Sequence, residues 1–429
     1  MTITELNGQH ICLLGYGLEG ASMQKALAIY APDAKITIAD SNAGVTAEGA
    51  ALQVGPHYLD NLDQFDVIIR SSGIPNLPEL ERVKSKITTM AVIFFDTIAH
   101  TGVRTIGVTG SKGKSTTTTL IYNALYANDP DHTYLMGNLY LPMIDFLHYA
   151  KPGNTFVIEL SSYMLEPLRR SPNIAVVTSF FPEHLDRHGS VESYWAAKRN
   201  IAEHQTPEDT VFYNANSREC QELAEASPGH KIGFVPDDFP LDVSLTNFIG
   251  EHNRSNLAAA YKVATYVGVP DGLALRILRE TEPLPHRLQS LGIHGDIEWV
   301  NDSIATAPEA TLAALDALGD NVETLFLGGF DRGYNFSELM TRIAATDSIK
   351  QLIFFPATGE RMKALLPEDS NKIFLETKDM DQAVQWAAAH TNPGKIALLS
   401  CASPSFGLYK DFNARGEAFI HAVKKLDHR

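Results

Sequence analysis

The stretch Gly107-Val108-Thr109-Gly110-Ser111-Lys112-Gly113-Lys114-Ser115-Thr116 has the residue types and spacing of a loop that handles phosphate. Glycines at 110 and 113 let the backbone turn its N–H groups toward phosphate oxygens, and the positive end of a following helix adds to that pull. Lys114 would bring a cation to the β- and γ-phosphates, and the Ser115 hydroxyl is placed to ligate Mg²⁺. Gly107 and Gly113 stand one residue too far apart for the general Walker spacing, so the fit is to the variant Thr-Gly-x-x-Gly-Lys-Ser. The bland alternative is a glycine-rich turn that merely opens a helix.

Other chemistry-bearing residues fall at the ends of apolar runs. Thr155-Phe156-Val157-Ile158-Glu159-Leu160 delivers Glu159 and then Ser161-Ser162. An acid at a strand end in a phosphate-loop domain is a candidate for Mg²⁺ or its waters, against the alternative of a solvated strand end. The run 174–178 leads into Glu183-His184-Leu185-Asp186. Lys198, on Ser193-Tyr194-Trp195-Ala196-Ala197-Lys198, reads from its neighbours alone as a helical surface lysine. Near the N-terminus, the run 10–15 flows into Gly15-Tyr16-Gly17-Leu18-Glu19-Gly20, and the next strand ends at Asp40. That βαβ unit suits a nucleotide-binding Rossmann-like layer, for which NAD is one occupant. Ser71-Ser72-Gly73 follows another strand at the edge where open α/β sheets bind ligands.

Elements must hold these residues, and the pattern supplies them. Arg104-Thr105-Ile106 reads as the end of a strand, and Leu120, Ile121 and Leu125 have helical spacing. Strands alternate with helices along the chain, which predicts an α/β fold. The length of 429 residues suggests three domains: Rossmann-like over 1–98, a phosphate-loop domain over 99–283, and a second Rossmann-like domain over 284–429. A net charge of −16 argues against a nucleic-acid surface. No apolar run is long enough to span a bilayer. Cys12, Cys220 and Cys401 lack metal or redox spacing and read as core residues of a cytoplasmic protein.

Several motifs coincide in order. Thr109–Thr116, Gly137-Asn138, Glu159-Leu160-Ser161-Ser162, Glu183-His184-Leu185-Asp186-Arg187, Ala196-Ala197-Lys198 and His252-Asn253-Arg254-Ser255-Asn256 resemble the Mur ligase family. Leu284-Pro285-His286-Arg287, Asn301-Asp302-Ser303, Gly328-Gly329 with Arg332, and Leu398 through Ser405 and Phe412 resemble its glutamate-adding branch. The resemblance covers essentially the whole chain. It implies an ATP-dependent amide ligase that joins D-glutamate to UDP-N-acetylmuramoyl-L-alanine through an acyl phosphate, in peptidoglycan precursor synthesis. A monomer is expected, with ATP and two Mg²⁺ ions. ATP would meet Gly110, Ser111, Lys112, Gly113, Lys114, Ser115, Thr116, Asn256, Arg287 and Asp302. Ser115, Glu159, His184 and Lys198 would hold metal, with Lys114, His184 and Lys198 catalytic. Lys198 matches a lysine that the family carries as a CO₂ adduct, which needs a neutral and therefore desolvated amine. Gly15, Tyr16, Gly17, Leu18, Asp40, Ser71, Ser72, Gly73, Asn138 and Ser161 would line the UDP-substrate site. Thr306, Arg332, Ser405 and Phe412 would surround glutamate, and the run from Ser405 into a helix at Phe412 would offer N-terminal N–H groups to a carboxylate.

Three departures stand out. Ile304 sits where the branch commonly has lysine, Met164 where glutamine is common, and Asp40-Ser41-Asn42 where Asp-Thr-Arg often meets uracil. The missing lysine leaves L-glutamate as the alternative acceptor. Other Mur or folylpolyglutamate-type ligases are rivals that the C-terminal motifs disfavour. An NAD-dependent dehydrogenase built on Gly15, Gly17 and Gly20 leaves the phosphate loop unexplained.

Overall fold

Three mainly parallel sheets carry the chain in a computed structural model that describes residues 1–248, 250–367 and 370–428. The first sheet is parallel throughout, in the order Ala51–Val54, Lys35–Asp40, His10–Leu14, Val67–Arg70, Ile87–Thr88. Its central strands are apolar on both faces because helices cover both, which is why 10–14 and 67–70 read as continuous hydrophobic runs. The second sheet, also parallel, runs His230–Phe234, Thr210–Asn214, Ile174–Val177, Arg104–Thr109, Thr155–Glu159, Thr133–Gly137. The third runs Gln289–His294, Ile297–Asn301, Ile396–Leu399, Val322–Gly328, Gln351–Phe355, Ile373–Glu376, with only its first pair antiparallel.

The backbone gathers into two compact units. One holds residues 1–242 and 253–281 with the first two sheets, and the other holds 243–252 and 282–429 with the third. In the first unit the helix Met90–Ile98 shares a core with the second sheet, Phe94 lying 6.0 Å from Phe156 between ring centres. The three cysteines are buried and unpaired. Among the described residues no helix is long and apolar enough to cross a membrane.

One boundary moves. The strand expected to end at Ile106 runs on through Gly107, Val108 and Thr109. Gly107 and Val108 pair with Ile158 and Glu159 on one side and with Ala175 and Val176 on the other. A glycine there fits against Pro172 and Leu160 and supplies no turn, so the loop proper is 110–113.

Candidate active site

The phosphate-type loop leaves the middle of the second sheet, where strand order reverses and a parallel sheet opens its ligand crevice. Gly110 and Gly113 have φ of +157° and +83°, conformations that an L side chain rarely adopts. A Cβ at 110 would collide with Thr178 Oγ1, and one at 113 with Asn256 Oδ1. Asn256 is thus set against the loop, where its Oδ1 also accepts from Thr117 Oγ1 at 3.2 Å. The helix Lys114–Asn128 starts immediately after, with Ser115 and Thr116 buried in its first turn. Lys114 Nζ curls back to donate to Gly110 O at 2.8 Å and Ser111 O at 2.9 Å. The backbone N–H groups of Ser111 and Lys112 donate to Ser179 O and Oγ, and the Lys112 ammonium pairs with Glu183 at 2.6 Å.

Glu159 is wholly buried at the end of the neighbouring strand. Its Oε1 accepts from Asn138 Nδ2 at 2.9 Å, and its Oε2 has no hydrogen-bond partner. Lys198 is just 1% exposed on the helix Val191–Glu203, which Ser190 caps. Its Nζ donates to Gly110 O at 2.8 Å, so this lysine reaches the loop and is no surface residue. Burial, and then the charge of Lys114, pushes its amine well below the ordinary lysine range. His184 is exposed, with φ +57° and its ring 5.2 Å from that of Tyr163. The side chains of Leu185, Asp186 and His252, members of the matched motifs, lie outside the described residues. Among the described residues no three His, Cys, Asp or Glu side chains form a metal cage. Mg²⁺ ordinarily takes a carboxylate or two and leaves the rest to phosphates and water, so a buried carboxylate oxygen without a partner suits it.

A crevice of about 590 Å³ opens beside this region within the same unit. Gly15, Tyr16, Gly17, Leu18, Asp40, Ser71, Ser72, Gly73 and Asn138 all line it, and so does Met164. Ser161 instead caps the helix Ser162–Leu165, its Oγ accepting from Met164 N. Asp40 accepts from Tyr16 N at 2.7 Å and Asn42 N at 2.8 Å, which ties the glycine-rich turn to the next strand. The sequence reading missed Glu19, whose carboxylate holds both N–H and Oγ of Ser72 at 2.8 Å. It also passed over Arg187 as an individual contributor. Arg187 stacks 3.8 Å over Tyr163 and donates to Ile74 O, so the central sheet braces the 71–75 loop.

In the second unit, polar residues collect at the carboxyl edge of the third sheet. Asp302 accepts from Leu288 N at 3.2 Å and Ser400 Oγ at 2.9 Å, and Arg287 is half-buried nearby in sequence. Arg332 is exposed, its guanidinium 5.8 Å from the centre of the Phe406 ring. Ser405 is buried, while Thr306, Ile304 and Phe412 are half-buried. The start of the last helix, expected to offer its N–H groups to an anion, is capped from within the chain. Asp411 caps Phe412–Lys424, accepting from Ala414 N at 2.8 Å, so one of those N–H groups meets a carboxylate of the chain itself. Arg415, fully buried, was also missed: it donates to Ser303 Oγ, Ser303 O and Ser403 O and thereby staples the loops that carry Asp302 and Ser405.

Comparison with known proteins places the chain in a family. Residues 108–236 match the Mur ligase middle domain. The chain is 33% identical to the UDP-N-acetylmuramoyl-L-alanine--L-glutamate ligase of Salinispora tropica, over 99% of each chain. It is 30% identical to the UDP-N-acetylmuramoylalanine--D-glutamate ligase of Lactococcus lactis, again over 99% of each. In fold it is similar to the Thermotoga maritima MurF ligase solved with ADP, with a TM-score of 0.62 at 14% identity over 99% of this chain and 96% of that one. The chain belongs to the Mur ligase family, the ATP-dependent ligases of peptidoglycan synthesis.

Proposed function

We propose that this ligase joins glutamate to UDP-N-acetylmuramoyl-L-alanine with ATP as the phosphoryl donor. The observation that carries the reading is Asn138: it lines the crevice and holds Glu159, the buried carboxylate beside the phosphate loop. Nucleotide-sugar substrate and ATP would therefore meet at one strand edge. Asn256, Arg287 and Asp302 are assigned to ATP. Thr306, Arg332, Ser405 and Phe412 are assigned to the incoming amino acid.

A carboxylate is a poor electrophile, so the alanyl carboxylate first attacks the γ-phosphorus, forming an acyl phosphate and releasing ADP. The amino group of glutamate then adds to the acyl carbon. The tetrahedral intermediate loses its proton and expels phosphate, leaving the amide. Lys114 would stabilise charge on the transferring phosphoryl group, a task of positioning and electrostatics. Mg²⁺, when bound, would neutralise phosphate charge, held by Ser115 and Glu159 with His184 and Lys198 completing the set. For that role Lys198 would carry a carbamate: its neutral amine adds to CO₂ and releases a proton. Its burial and depressed proton affinity favour the neutral amine that this step needs.

D-glutamate is the acceptor on the motif set as a whole. L-glutamate is the second reading, favoured by Ile304 in place of lysine and by the name of the Salinispora relative. Phosphate release with UDP-N-acetylmuramoyl-L-alanine and each enantiomer separates them. Faster turnover with D-glutamate is expected, faster turnover with L-glutamate establishes the second reading, and preference for a neutral or diamino acceptor refutes both.

A further inference from the structure

Tyr140 spans two places that the reaction must use together. It lies in the turn after the strand Thr133–Gly137 and is one of the residues that line the crevice, with Asn138 and Pro142. Its hydroxyl meets the helix that follows the phosphate loop. There it lies 3.1 Å from Ser115 O and 2.7 Å from Thr119 Oγ1, and Thr119 Oγ1 itself donates to Ser115 O at 2.8 Å. The turn is pinned at both ends: Tyr140 N donates to Gly137 O at 2.9 Å, and Asn138 N donates to Glu159 O at 3.0 Å. A tyrosine ring is rigid, so a ligand that displaces the ring also displaces the hydroxyl. The group at its tip is the first-turn carbonyl of Ser115, whose side chain is assigned to Mg²⁺.

We propose that Tyr140 is a positioning residue that couples filling of the nucleotide-sugar crevice to the setting of Ser115 at the phosphate loop. The proposal rests on the ATP-dependent ligase reading of the two sites. Occupancy of the crevice holds the ring, the hydroxyl then fixes the first helical turn, and Mg²⁺-nucleotide binds a pre-ordered loop. Filling either site tightens the other by the same factor, as linkage requires.

The test is a binding cycle on the full chain. The affinity of Mg²⁺ with a non-hydrolysable ATP analogue is measured by calorimetry with and without UDP-N-acetylmuramoyl-L-alanine, for wild type, Tyr140→Phe and Tyr140→Ala. In wild type the crevice ligand should tighten nucleotide binding by about fivefold or more. Tyr140→Phe keeps the ring and loses the hydroxyl, so it should bind UDP-N-acetylmuramoyl-L-alanine normally, melt as wild type does, and show no coupling. Tyr140→Ala should lose coupling and also weaken the crevice ligand. Coupling retained in Tyr140→Phe, or absent from wild type, overturns the proposal. So does a Tyr140→Phe variant weakened toward both ligands alike with a lowered melting temperature, which would mark a purely structural side chain. A wild-type chain that releases no phosphate with either glutamate enantiomer would instead overturn the ligase reading beneath it.

Discussion

Replacing Glu159 with glutamine should make the ligand-free protein more stable and its active site useless. The carboxylate is fully buried, with Asn138 on one oxygen and no partner on the other. Lys198, whose charge would compensate it, is itself driven toward neutrality by burial and by Lys114. Leaving a buried polar group unsatisfied costs about 1–3 kcal/mol, and more when it is charged. Glutamine keeps the shape and the bond from Asn138, and an unsatisfied amide costs less than an unsatisfied carboxylate. A net gain of about 1–2 kcal/mol follows, or roughly 2–6 °C in the melting of the first unit. Saturating Mg²⁺-nucleotide at about a hundred times its Kd should add about 2.7 kcal/mol to wild type. Glu159→Gln should lose most of that increment, so the order of melting temperatures reverses between the two conditions. Scanning calorimetry with and without Mg²⁺-nucleotide reads both. A variant less stable without ligand, and stabilised as much as wild type with it, would refute the assignment of this carboxylate to the metal.

Lys114→Ala should lower kcat by about a hundredfold or more while the melting temperature stays within a few degrees, because its bonds to Gly110 O and Ser111 O close on its own loop and hold no other element. Arg332→Ala and Ser405→Ala should each raise KM for glutamate about ten- to a hundredfold, the worth of one charge-assisted contact, with KM for ATP unchanged in steady-state assays. Lys198→Ala should lose activity that acetate partly restores, the added anion standing in for the carbamate. The depressed Lys198 amine also sets a sign. Between its folded value and the ordinary 10.5 the unfolded chain binds the extra proton, so stability rises with pH across that window. Lys198→Met should flatten that rise in thermal melts.

Central strands and the phosphate loop were legible in the sequence because their signals are local. Val67–Arg70 and Ile396–Leu399 are short apolar runs buried on both faces, and the glycine spacing of 110–113 dictates its own turn. The sheet-edge strands Ala51–Val54 and Ile373–Glu376 are partly exposed, with mixed composition, and escaped notice. Strand Thr133–Gly137 was missed as well, although it presents Asn138 and Tyr140. Lys198 shows the limit of pattern reading. On helical spacing it is a surface lysine, and only packing brings it to Gly110 O. Positioning residues such as Glu19, Arg187 and Arg415 act through backbone and side-chain groups distant in sequence, which no local motif records. The helix at Phe412 shows the converse: a local pattern read its N-terminal N–H groups as open to a ligand, and the neighbouring Asp411 already caps one of them.

The central claim is that the alanyl carboxylate is activated by phosphoryl transfer and then captured by glutamate. UDP-N-acetylmuramoyl-L-alanine labelled with ¹⁸O in the alanyl carboxyl group, incubated with ATP, Mg²⁺ and glutamate, tests it directly. Mass spectrometry should find one ¹⁸O in the released phosphate and a product heavier by one glutamyl residue. Unlabelled phosphate, or no glutamyl product with either enantiomer, would contradict it.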